Sequence, residues 1–146
     1  MNTTRTILII EDDADDCELI QEALRSIKVS NQIKCFENGD DAFKYLDTTS
    51  DVIFLILSDI NMPRLNGFEL RERVFTNKEL SKKCIPYIFF TTSASRESVI
   101  NAYAFSAQGF FIKPSKFSEL EEVVVSIVTY WKKCYSPSDY NILEKK

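Results

Sequence analysis

Four apolar runs in this chain end in residues able to do chemistry. The first delivers Glu11, Asp12 and Asp13, the next Asp59 with Asn61 two positions on, another Thr91, Thr92 and Ser93, and the last Lys113 followed by Pro114. Several carboxylates in one cleft repel each other and are partly protonated if left alone. A hard divalent cation relieves this, and magnesium takes oxygen ligands, usually one or two carboxylates with waters and a phosphate. Asp12, Asp59 and a main-chain carbonyl just past Asp59 suit such an ion, with Glu11 close by. Lys113 offers a point charge to Asp59 or to an anion attached to it. Thr91 offers a hydroxyl donor to the same anion. Asp59 is then ringed by electrophiles, which suits in-line phosphoryl transfer to a carboxylate, where catalysis is mostly positioning and charge stabilisation.

The elements that must position these residues alternate in type. Apolar, β-branched runs at Thr6–Ile10, Gln32–Phe36, Val52–Leu57, Ile85–Thr92 and Gly109–Ile112 read as strands. Gln32–Phe36 alternates, as an edge strand does, whereas Val52–Leu57 is continuously apolar, as a central parallel strand is. Helical spacing appears over Asp13–Ile27, with Cys17, Ile20, Leu24 and Ile27 on one face. It recurs in a short helix after Asn38-Gly39, then from Asn66 with Phe68, Leu70, Val74 and Phe75 inward, over Ser95–Ser106, and over Phe117–Lys133. Five strand–helix repeats with short connections predict an α/β fold, a doubly wound (βα)5 sandwich on a five-stranded parallel sheet. In such folds sites lie outside the carboxyl ends of the strands.

Each residue also has an ordinary reading. Asp12 and Asp13 suit a helix N-cap, as do Thr91 to Ser93; Asp59 suits the turn before Pro63; a lone Lys113 suits a surface loop. Their joint arrival at four strand ends, in order, favours the site. Composition narrows the classes further. The 146 residues are 45% hydrophobic and 27% charged, with net charge -4 and no long basic run, so a nucleic-acid partner is not expected. No apolar stretch reaches membrane-spanning length and the N-terminus does not read as a signal peptide, so a cytoplasmic location is expected. Cys17, Cys35, Cys84 and Cys134 have no CxxC spacing and are expected to be reduced thiols. There is no histidine, which excludes His-based triads and His-ligated zinc; any phosphohistidine in the chemistry belongs to a partner.

The segments "ILIIEDD", "SDINMPRLNG", "FFTTSAS" and "GFFIKPS", with the interval between Thr91 and Lys113, resemble the receiver domain of two-component response regulators, in its single-domain, chemotaxis-regulator-like form. The resemblance runs from about Thr6 to Lys133. It implies a flavodoxin-like sheet of strand order 2-1-3-4-5 and these roles: Asp59 as phosphoacceptor, Glu11, Asp12, Asp59 and the Asn61 carbonyl at Mg2+, Thr91 and Lys113 on the phosphoryl group, and Thr91 with Phe110 as the switch pair. Phe110 stands where the family often has Tyr, so a signal through that hydroxyl is lost. The implied partners are a sensor histidine kinase or histidine phosphotransfer protein and a downstream protein target, with a homodimer surface over the fourth helix, fifth strand and fifth helix. Residues 1–135 would form the receiver and 136–146 a C-terminal extension with no output domain. The aromatics of the last helix and tail, Tyr130, Trp131, Tyr135 and Tyr140, resemble those of regulators serving phytochrome-type kinases. The protein would catalyse only its own phosphorylation and dephosphorylation. Two rivals differ in class. A haloacid-dehalogenase-type phosphatase needs an acid two positions after the nucleophile, where Asn61 cannot shuttle a proton. A phosphorylation-independent interaction module would not need Asp12, Asp59, Thr91 and Lys113 together.

Overall fold

The computed structural model describes residues 5–140. Five parallel strands, β1 (Thr6–Ile10), β2 (Gln32–Phe36), β3 (Ile53–Ser58), β4 (Tyr87–Thr91) and β5 (Gly109–Ile112), form one sheet in the order β2-β1-β3-β4-β5. Every residue of β1, β3 and β4 is buried, because helices cover both faces of the centre. β2, at the edge, is only half-buried, as its alternating pattern predicts. One face packs Leu8, Ile10, Ile56 and Phe89 against α2 (Gly39–Thr48), α3 (Gly67–Thr76) and α5 (Arg96–Ala104). The other packs Ile7, Ile9, Leu55 and Ile88 against α1 (Ala14–Ser26) and α6 (Phe117–Lys133).

A sixth helix, α4 (Lys78–Lys83), lies between α3 and β4 where the sequence predicts none. Asn77 caps it, accepting from the Leu80 N–H, but a single buried residue, Leu80, gives too little periodicity to recognise. The fourth and fifth helices of the sequence reading are therefore α5 and α6. Phe75, expected in the core, is 49% exposed; the inward stripe of α3 runs through Leu70, Arg71 and Val74 instead. The expectation of four reduced thiols also fails. Cys17 of α1 packs on the same face of the sheet as Cys35 of β2, Cα atoms 6.8 Å apart, where they form a disulfide; Cys84 and Cys134 are free. Contact across 18 residues, made by tertiary packing, leaves no spacing signal.

β3 ends in a buried polar relay. Tyr87 is fully buried, and its hydroxyl lies 2.9 Å from Ser58 Oγ and 3.2 Å from the Gly67 carbonyl oxygen; Ser58 Oγ donates to the Asp59 carbonyl at 2.8 Å. Tyr87→Phe leaves the Gly67 carbonyl without this donor. The expected loss is about 1–3 kcal/mol, read from the midpoint of urea unfolding.

Candidate functional site

The carboxyl ends of β1, β3, β4 and β5 converge as the topology requires. The acidic triplet after β1 divides its work. Asp13 is the N-cap of α1, accepting from the N–H groups of Asp15 and Asp16, so the capping role belongs to it alone. Asp12 is exposed and joins Glu11 and Asp59 in a cluster whose carboxylate oxygens lie within 4.8 Å of one another. Glu11 is buried, its backbone tied to the Phe36 carbonyl and its carboxylate accepting from the Asp13 N–H.

Asp59 follows the last residue of β3. Its N–H donates to the Ile10 carbonyl at 2.9 Å, and its Oδ1 accepts from the Ile60 N–H at 2.8 Å, which fixes the carboxylate. It does not cap α3; Asn66 does, in a capping box with Glu69. The loop between them folds back on itself. Gly67 donates its N–H to the Ile60 carbonyl, and a Cβ there would sit 2.1 Å from the Asp59 carbonyl oxygen, so the position has no room for a side chain. Asn61 is exposed in this loop.

Thr91, the last residue of β4, is buried, and its carbonyl accepts from the Lys113 N–H at 2.7 Å. The helix cap once open to Thr91–Ser93 is taken by Ser95, which accepts from the Ser98 N–H. Phe110 is half-buried, packed against the core beside Phe89, its register partner in β4. Lys113 is no surface cation. Its side chain is 7% exposed, and its ammonium contacts Glu11, lies 3.1 Å from Asp16 Oδ2 and stands 3.9 Å from Asp59 Oδ2.

So the structure brings Glu11, Asp12, Asp59 and Lys113 together, with Thr91 at the adjoining strand end. Asp16 was missed: it lies outside the strand-end set, and nothing in the sequence ties it to Lys113. Gly67 was missed as well, read only as the start of the third helix.

The electrostatics follow from burial and charge. Desolvation pushes the Glu11 carboxyl up to about 7, reinforced by the Asp59 charge and only partly opposed by Lys113. Lys113 is itself raised: burial opposes its charge, but Glu11, Asp59 and Asp16 outweigh that. The folded chain thus retains a proton on Glu11 that the unfolded chain, with its value of 4.5, gives up. Without divalent metal, stability therefore falls as pH rises between 4.5 and about 7. Thermal unfolding in chelator across that range checks the sign. Loss of this proton also adds a negative charge to the cluster, so affinity for a divalent cation should climb with pH and level off above about 7. Calorimetric titration at stepped pH reads this.

Three hard oxygen donors at this spacing fit a hard divalent cation and suit neither a thiol-loving nor a histidine-loving metal. Among the described residues no helix is long and apolar enough to cross a membrane.

The family described as the response regulator receiver domain matches residues 7–125. The chain is similar to response regulator Rcp1 of Synechocystis sp., 27% identical over 135 residues that cover 89% of this chain and 90% of that protein. Among solved structures it superposes on the phosphorylated cyanobacterial phytochrome response regulator RcpA with a TM-score of 0.83 at 26% identity, covering 92% of this chain and 99% of that one. The Mn(2+)-bound form of response regulator Rcp1 gives 0.80 at 27%, covering 91% and 99%.

Proposed function

The chain belongs to the response regulator receiver domain family, and from that premise we propose that Asp59 is its phosphoacceptor, taking a phosphoryl group from a phosphohistidine on a sensor kinase or phosphotransfer protein. The protein is a signalling domain of the two-component type rather than a metabolic enzyme. The observation that carries the residue assignment is the convergence of Glu11, Asp12 and Asp59 with Lys113 at one sheet edge.

In this reading Glu11, Asp12, Asp59 and the Asn61 carbonyl hold the divalent ion, taken as Mg2+. The bound form of Rcp1 with Mn(2+) supports a divalent site. When bound, the ion supplies charge neutralisation to the approaching phosphoryl oxygens. The chain's own residues do the rest. The Ile60 N–H holds the Asp59 carboxylate in place. A carboxylate oxygen forms the new O–P bond as the P–N bond of the donor breaks, and the imidazole leaves, taking its proton from water. Lys113 and the Thr91 hydroxyl bind the phosphoryl oxygens. Hydrolysis later returns the carboxylate.

The acyl phosphate adds charge and strong acceptors at the end of β3, beside Thr91 of β4. Thr91 moves toward it and Phe110 turns into the space vacated, which repacks α5, β5 and α6. Arg71 adds a link: buried in α3, it donates to the carbonyls of Phe105 and Ser106 at the carboxyl end of α5, where a helix favours a cation. The output face exposes Ile100, Tyr103, Ile112 and Tyr130. It suits a downstream protein or a second copy of the chain. Trp131 is half-buried against the core, so Tyr130 is the more available of the two. Residues 1–135 are assigned to the receiver and 136–146 to an extension, in which Asp139 pairs with Arg5; 1–4 and 141–146 lie outside the described residues. The relatives' phytochrome connection supports a light-sensing kinase as the donor, and a cytoplasmic location fits the same reading.

Intact mass after incubation with acetyl phosphate tests this, with magnesium or with chelator. A single phosphoryl adduct that needs the metal is expected; no adduct under either condition, with magnesium binding verified, contradicts it.

A further inference from the structure

The contacts of Lys113 are unevenly shared. Its ammonium contacts Glu11 and donates to Asp16 Oδ2 at 3.1 Å, while Asp59 Oδ2, at 3.9 Å, is beyond hydrogen-bond reach. Asp16 lies in the first turn of α1, on a backbone fixed by the Asp13 cap, and its side chain is about one-third exposed, at 32%. Acids are favoured in the first turn of any helix. Asp15 satisfies that preference from an exposed position; only Asp16 turns to the buried cation.

We propose that Asp16 is a positioning residue for Lys113, holding the ammonium on the α1 side of the acid pocket so that the Asp59 carboxylate stays free to accept a phosphoryl group. The proposal rests on the assignment of Asp59 and Lys113 above. An ammonium has three donors and no fixed fork, so it goes to whichever acceptors surround it. Glu11 alone does not fix its direction. With the Asp16 charge removed, the ammonium keeps Glu11, and the other carboxylate still paired with it is Asp59, whose Oδ2 lies at 3.9 Å, just beyond hydrogen-bond reach. A lysine paired there masks the nucleophile before transfer. With Asp16 in place, Lys113 is kept within reach but uncommitted, and it crosses to the phosphoryl oxygens once they arrive.

Asp16→Asn keeps the shape and removes the charge; Asp16→Glu keeps the charge. Two readouts are needed. One is the side-chain ε-carbon and ammonium-nitrogen NMR signals of Lys113 in metal-free, lysine-labelled protein, identified by their loss in Lys113→Arg. The other is the initial rate of phosphoryl acceptance from acetyl phosphate at saturating magnesium, by intact mass. Asp16→Asn should move the Lys113 signals and leave the other lysines in place. It should slow acceptance about two- to fivefold, the range of a partly exposed ion pair, and Asp16→Glu should recover most of the rate. Unmoved Lys113 signals, an unchanged rate, or Asp16→Glu as slow as Asp16→Asn overturns the proposal. A wild-type protein that takes no phosphoryl group overturns the assignment of Asp59 instead, and the Lys113 signals still decide where Asp16 holds the ammonium.

Discussion

Asp59→Asn should show no phosphoryl adduct with acetyl phosphate and magnesium, under conditions that convert most of the wild type. An amide is a poor nucleophile toward phosphorus and forms no acyl phosphate, so the loss is of the reaction itself. It should not be a loss of fold. Asp59 is one of three carboxylates within 4.8 Å, and its charge helps to push Glu11 upward, so the neutral side chain relieves repulsion. The Ile60 N–H still meets an oxygen if the Asn carbonyl takes the place of Oδ1. Thermal stability in chelator is therefore expected to equal or exceed that of the wild type, while magnesium affinity falls with one ligand charge removed. Intact mass and a melting curve on the same preparation separate the two effects. An adduct on Asp59→Asn equal to the wild type's would move the acceptor elsewhere.

Gly67→Ala should damage both stability and acceptance, from a residue that carries no chemistry. The added methyl would stand 2.1 Å from the Asp59 carbonyl oxygen and 2.9 Å from Ile60 Cα, both main-chain atoms that no rotamer change can clear. That carbonyl also accepts from Ser58 Oγ, and the Gly67 carbonyl is next to the Tyr87 hydroxyl, so the loop cannot yield without breaking the relay. Overpacking of this kind costs about 1–3 kcal/mol, and the main-chain clash puts this case near the top of that range. A carboxylate displaced by about 1 Å loses on the order of a hundredfold in rate. Urea unfolding gives the first figure and the initial rate of adduct formation the second. A variant with wild-type stability and rate would show that the loop accommodates the methyl and does not set the position of Asp59.

The fold was legible because its signals are local and repeated. β3 is apolar without interruption, β2 alternates, and the two turned out central and peripheral. The closeness of the candidate residues was legible because the topology delivers each strand end to one edge, so Glu11, Asp12, Asp59 and Lys113 had to be neighbours. What the residues could not show depends on packing between distant segments. Lys78–Lys83 turns only one apolar side chain inward, so α4 left no stripe. Phe75 directly follows Val74 and so points past the edge of the face that Leu70 and Val74 bury, where the Arg71 guanidinium lies over its ring. Cys17 meets Cys35 only because α1 packs on the face of the sheet to which Cys35 turns. Asp16 meets Lys113 across 97 residues, and no spacing rule anticipates it.

The most direct measurement of the central claim is chemical. An acyl phosphate on a carboxylate is reduced by borohydride to the alcohol, which converts an aspartyl phosphate into homoserine. The protein should be phosphorylated with acetyl phosphate and magnesium, reduced, digested and sequenced by mass. Homoserine at position 59, and only when both donor and magnesium were present, is the predicted result. Homoserine at another aspartate, or a stable phosphoryl group on a hydroxyl such as Ser58 with Asp59 unmodified, would contradict it.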